Sequence, residues 1–229
     1  MKTRFIFPAF ILLIVIIGFA IIILLPEPGK RGLREELAAY SGSESCRPCH
    51  EKFYQLWHDS YHGLAMQAVM GDFIRENIHA FNQVIRVGGD TFKVSLEGDT
   101  LFFIEQQASG SVSRFPAVHT MGGKYIYYFL TPFPGGRLQV LPLAYDCDTG
   151  SWYNNPESGV RHFEDIEDAP LDWRNHLFTF NTTCYNCHVS QLETNYNLAD
   201  NSYNTRWREP GINCCLLYTS DAADEEDSV

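Results

Sequence analysis

Positive charge is scarce in this sequence, and what there is does not cluster. Lysine and arginine number 17 against 28 aspartates and glutamates, giving a formal net charge of −11. No basic stripe runs along any segment outside the termini, which argues against a nucleic-acid partner. Signatures of common catalytic frameworks are also missing. There is no G-x-S-x-G and no H-E-x-x-H. The glycine pairs in "GGKY", "PGGR" and "VGGD" lack the lysine–serine ending of a phosphate loop. No tandem repeat of solenoid period is visible. The acid run "FEDIED" reads as a solvated loop rather than a carboxylate dyad.

One long apolar run is present, at the start. The basic "MKTR" precedes Phe5 to Leu25, which carry no charge. As a helix this run spans roughly 30 Å, one bilayer core. No A-x-A cleavage site precedes "PEPGKRG", so a retained signal anchor is expected over a cleaved peptide. Lys2 and Arg4 point to a cytoplasmic tip, although Lys30, Arg31 and Arg34 on the far side weaken the asymmetry. The chain beyond the anchor then belongs to the periplasm or the cell exterior, tied to the inner membrane.

The 229 residues, 45% hydrophobic and 14% aromatic, suffice for one ordinary domain or two small ones. The sequence predicts an α+β fold: helical or loop segments flanking a small antiparallel β domain, behind the N-terminal transmembrane helix. The expected division is 1–4 cytoplasmic tip, 5–25 anchor, 26–43 linker, 44–80 first attachment segment, 81–160 β-rich module and 161–214 second attachment segment. Residues Leu33 to Tyr40 of the linker suggest a short helix. From Ser45 to about Met70, Phe53, Leu56, Trp57, Leu64 and Ala65 recur at helical spacing. From Val84 the period changes. "VIRV", "TFKVSL" and "TLFFIEQ" are separated by Gly-Gly-Asp and Glu-Gly-Asp, the pattern of an antiparallel meander. "KYIYYFLTPF" and "RLQVLPLAYD" follow around Pro-Gly-Gly, and then "GSWYN".

The stretch 215–229 reads as non-native. Cys215 to Glu225, "CLLYTSDAADE", resembles the translation of a sequencing adapter, and five of the acids lie in the last nine positions. An acidic disordered tail is the alternative.

Seven cysteines are present, and four of them form two C-x-x-C-H pentapeptides. These are "CRPCH", with Cys46, Cys49 and His50, and "CYNCH", with Cys184, Cys187 and His188. This spacing is the attachment signature of c-type haem. Two thiols add across the porphyrin vinyl groups, and the next residue, histidine, is carried under the iron. Zinc held by two C-x-x-C pairs is the first alternative, but it gives no reason for histidine to follow both times. A redox disulfide is the second, and "NTTCYNCH" lacks its strand-then-helix context. The expected cofactor is covalent haem c with its iron, at two sites or more. "REPGINC" ends at Cys214 and reads as the start of a truncated third motif. Cys147 in "YDCDTG" is expected to be a small buried residue.

A sixth iron ligand would come from elsewhere. Outside the motifs stand His58, His62, His79, His119, His162 and His176. His62 ranks first and His119, followed by Gly122 and Gly123, second; His58 and His176 are weaker. Met66, Met70 and Met121 are the sulfur alternatives, with two histidines favoured. On a straight helix His62 lies about 18 Å beyond His50, whereas two axial nitrogens stand about 4 Å apart. Either the chain turns back, or His62 serves a neighbouring haem. Trp57 and Tyr61 read equally as porphyrin contacts or as core.

"CRPCHEKFYQLWHDSYHGLAM" is similar to the C-x-x-C-H…W-x-x-S-x-H-x-x-A-M pattern of multihaem c-type cytochromes. "YIYYFLTPFPGGRLQVLPLAYD", "FTFNTTCYNCHVSQLETNY" and "REPGINC" resemble later blocks of the subgroup whose haem modules precede tetratricopeptide repeats. The resemblance covers about 41–214. It implies covalent haems, electron transfer with redox partner proteins, and a periplasmic or cell-surface location. By position it makes His62 a distal ligand and Cys214 the first cysteine of a further motif. Two other classes stay open: a multihaem reductase or oxidase with an open iron position, and a haem-bearing sensor or interaction module.

Overall fold

The computed structural model describes residues 42–81, 83–159, 169–214 and 216–217. The expected anchor, the Leu33–Tyr40 helix, His162 and nearly all of the adapter-like tail lie outside the described residues. Among those described, no helix is long and apolar enough to cross a membrane.

Antiparallel sheets dominate, with few and short helices. A 3-10 turn at Ser43–Cys46 leads into α1, Arg47–His58. Then come β1, Met66–Ala68, and α2, Gly71–Asn77. Strands β2, Val84–Val87, β3, Asp90–Glu97, β4, Thr100–Gln106, and β5, Val112–Pro116, form a four-stranded meander. Strands β6, His119–Met121, β7, Ile126–Phe133, β8, Arg137–Asp146, and β9, Ser151–Asn154, join β1 in a five-stranded sheet ordered β1-β6-β7-β8-β9. After the one-turn helix α3, Asn155–Ser158, the next described element is a 3-10 turn, His176–Phe178. It continues through α4, Phe180–Thr183, α5, Tyr185–His188, β10, Val189–Ser190, and β11, Glu209–Pro210.

The hairpins follow their turn chemistry. Glu97 pairs with Thr100, leaving Gly98-Asp99 as a two-residue loop, and Gly98 takes φ +58°. A primed hairpin turn asks for that positive φ at its first central position, which glycine adopts without strain. Along β4, Leu101, Phe103 and Glu105 point inward by the period of two. Phe103 reaches the other sheet, with ring centroids 5.3 Å from Phe129 and 5.4 Å from Trp152. This is the main core.

Trp173 closes one end of it. Its ring stands 6.2 Å from Phe92, 5.1 Å from Phe115 and 5.8 Å from Phe133, and it is buried. Gln139 Nε2 donates to the carbonyls of Trp173 at 2.7 Å and Asn175 at 3.0 Å. Arg174 Nη2 donates to both oxygens of the buried Glu105 carboxylate, at 2.5 and 2.6 Å. These bonds pin the approach to the second pentapeptide onto both sheets.

The helix expected up to about Met70 stops at His58. Ser60 Oγ accepts the N–H groups of His62 at 3.2 Å and Gly63 at 3.3 Å. Gly63 lies so close to the helix end that a Cβ there would meet the Trp57 carbonyl oxygen at 2.5 Å. Side-chain capture of backbone donors at Ser60 competes with helix continuation. Leu64 and Ala65 thus lie beyond the helix, and Met66–Ala68 is a strand paired with Met121–His119.

Candidate functional site

The two pentapeptides fold alike. Cys46 (φ −78°, ψ −24°) and Cys184 (φ −104°, ψ −23°) each sit just before a helical turn that carries the second cysteine. In both, the first cysteine is half-buried and the second exposed. Cys49, Cys147, Cys184, Cys187 and Cys214 are free thiols. Among the described residues no group of three or more His, Cys, Asp or Glu converges as a metal set, so the two C-x-x-C pairs do not join into a four-ligand site.

The histidines differ. His50 breaks the helix, at φ −130° and ψ +42°, and is exposed, with the exposed Phe53 ring 6.5 Å away. Helix α1 buries none of its residues, and Leu56 is exposed too. Of its residues only Tyr54 and Trp57 are even half-buried, and such a short helix has little stability by itself. His188 is half-buried, and its Nδ1 lies 2.6 Å from the Ala65 carbonyl oxygen. A carbonyl only accepts, so Nδ1 carries a proton, and in the neutral ring the lone pair is then on Nε2. That is the tautomer an iron-ligating imidazole needs, with ring orientation fixed by the bond at the other nitrogen. The donor set fits haem c at this site: two thiols on one turn and an imidazole after them whose orientation is fixed at Nδ1.

Ala65 belongs to the first segment. Its carbonyl also accepts Gly122 N–H at 3.0 Å, so both lone pairs are engaged. A strap at 209–214 ties the two segments further. Gly211 N–H donates to the His188 carbonyl at 2.9 Å, and Ile212 N–H donates to the His62 carbonyl at 3.0 Å. Trp57 Nε1 donates to the Ile212 carbonyl at 2.6 Å. Ser190 Oγ donates to the Gly211 carbonyl and accepts Asn213 N–H, both at 2.9 Å. The Glu209 carboxylate accepts Ser43 N–H at 3.1 and 3.3 Å.

The chain therefore turns back after α1, and it brings the His62 backbone beside the second pentapeptide. His119 lies half-buried on β6, with its ring edge-on to Trp207 at 5.2 Å. Trp207 stands 5.9 Å from Phe180, in the apolar cluster that also receives Cys184 and Tyr185. Burial holds the His119 imidazole below its usual range, with a backbone hydrogen bond to Gln67 opposing. Burial likewise pushes the Cys184 thiol up. Met66 and Met121 face each other in register inside that cluster, so their thioethers are core packing, while Met70 is exposed. His58 pairs with Asp59 at 2.8 Å, and His79 and His176 are exposed. Trp57 is half-buried, and Tyr61 is exposed beside Tyr125. Cys147 is half-buried against the main core.

Cys214 donates its backbone N–H to Ser43 Oγ at 2.9 Å. Burial pushes its thiol up, and the neighbouring Cys46 adds to this. Cys214 is thus brought next to the first pentapeptide. Ser43 and Trp207 left no mark in the sequence, and the positioning roles of Ala65, Ser190 and Gly211 were not legible in the strings that contain them.

No protein-family model matches the chain, and no curated protein matches it. Among solved structures, the chain is similar to one titled Crystal Structure of Outer Cell Wall Cytochrome OcwA, with 16% identity and a TM-score of 0.44. The likeness covers 76% of this chain, which spans about 30% of that structure's length.

Proposed function

We propose that this chain belongs to a membrane-anchored, exported multihaem c-type cytochrome that transfers electrons between redox partner proteins. The observation that carries the reading is the Nδ1–carbonyl bond of His188, which leaves Nε2 of the pentapeptide histidine free as a ligand. When bound, haem iron supplies the electron chemistry by cycling between two oxidation states. The protein's part is covalent attachment, axial ligation and control of potential through burial and hydrogen bonds. Cys46 and Cys49 would hold one haem with His50 as ligand; Cys184 and Cys187 would hold another with His188. Phe53, with its ring 6.5 Å from that of His50, and the exposed Leu56 on the same helix offer apolar surface to a porphyrin. His62 and His119 are the candidate distal ligands, and Cys214 would open a third attachment site.

The test is expression in a host that attaches haem, followed by acid–acetone extraction and intact mass. Pigment should stay with the polypeptide. Cys46→Ala/Cys49→Ala and Cys184→Ala/Cys187→Ala should each remove the mass of one haem. Complete extraction of pigment, or a chain without pigment, would overturn the reading.

A further inference from the structure

We propose that Gly211 is a positioning residue for the second attachment site, holding the imidazole of His188 against a carbonyl of the first segment. The inference rests on the electron-transfer reading. Gly211 adopts φ +78°, and a Cβ there would meet the backbone oxygens of His62 at 2.6 Å and Gly63 at 2.8 Å. Neither neighbour is a flexible side chain, and the conformation itself disfavours any L side chain. Only glycine lets the strap lie this close. From that position its N–H holds the His188 carbonyl at 2.9 Å, while the next N–H holds the His62 carbonyl at 3.0 Å. Two consecutive residues thus clamp the backbone that carries the imidazole to the backbone that leads into Ala65. The clamp is seated from below by Ser190 Oγ, which bonds the Gly211 carbonyl and Asn213 N–H.

The consequence is electronic. A hydrogen bond from Nδ1–H to a carbonyl raises the basicity of the ring and strengthens its donation at Nε2. Stronger donation favours the ferric state and lowers the potential. Because the accepting oxygen belongs to Ala65, the potential of the second centre is set partly by the first segment, through Gly211. This residue touches neither thiol, and it acts only through the placement of His188.

The experiment measures midpoint potentials of the haem-loaded full chain by optical redox titration. The second centre is identified as the one missing from the Cys184→Ala/Cys187→Ala chain. Gly211→Ala should shift that centre to more positive potential with both haems still attached by mass. Gly89→Ala is the control: it has no positive φ requirement and nothing within 4 Å of its Cβ position. It should shift neither centre. Should Gly211→Ala not accumulate, Ser190→Ala removes the seat of the clamp and should give a smaller shift of the same sign. An unmoved second centre in the loaded variant overturns this proposal alone. Absence of covalent haem from the unsubstituted chain overturns the electron-transfer reading and this proposal with it.

Discussion

Cys214 and Ser43 meet across 171 positions of sequence, the N–H of one donating to the hydroxyl of the other. The contact joins the last cysteine before the adapter-like text to the residue that begins the first pentapeptide's 3-10 turn. It also bears on thiol chemistry. Burial raises the Cys214 thiol above its ordinary value, and a hydrogen bond with Ser43 opposes that rise.

Ser43→Ala removes the opposing contact, so the Cys214 thiol should move higher still. Thiolate is the reactive form. In reduced, haem-free chain, alkylation of Cys214 should be slower in the variant than in the parent at any pH below the thiol's own value. The exposed Cys49 should react unchanged. Peptide mass mapping over a pH series checks this, and equal Cys214 rates in the two chains would remove Ser43 from the account.

His62→Ala should change the spectrum at one haem centre from two-histidine low-spin to another ligation state. The centre altered should be the one absent from Cys184→Ala/Cys187→Ala. The His62 carbonyl and the His188 carbonyl are held by neighbouring strap residues, so the His62 backbone lies beside the second pentapeptide. Magnetic circular dichroism of the single and combined variants separates the cases. A spectrum identical to the parent would strike His62 from the ligands.

Arg174→Ala should cost about 3 kcal/mol of stability, the low end for removing one partner of a buried pair. The Glu105 side chain has no solvent exposure, whereas that of Arg174 keeps 32%, so the pair is only partly shielded. The stranded charge is the main penalty. Arg174→Ala with Glu105→Gln should therefore recover part of the loss, read as the midpoint of urea unfolding followed by tryptophan fluorescence. A double variant weaker than the single one would show that packing of Arg174 over Trp173, 4.5 Å from its ring, matters more.

The meander was legible because its turns are chemically explicit: Gly88-Gly89 and Gly98-Asp99 separate runs that alternate inward and outward. Strands β1, β5 and β6 were not, since three to five residues carry too little period to stand out. The end of α1 was hidden for a different reason. Apolar spacing continued through Ala65, while the Ser60 hydroxyl took the donors that a helix would have used. At the site, both pentapeptides could be read from cysteine and histidine spacing alone. Their mutual arrangement could not: the Ala65–His188 contact spans 123 positions and uses a carbonyl, a group every residue has.

Trp57, at the end of α1, donates its indole N–H to the carbonyl of Ile212, 155 positions later. A ribosome makes the receiving carbonyl last. Contacts so distant along the chain close slowly and late. Until Ile212 has been made, the indole lacks that acceptor. The clasp between the first segment and the strap thus closes only after both pentapeptides have been synthesised.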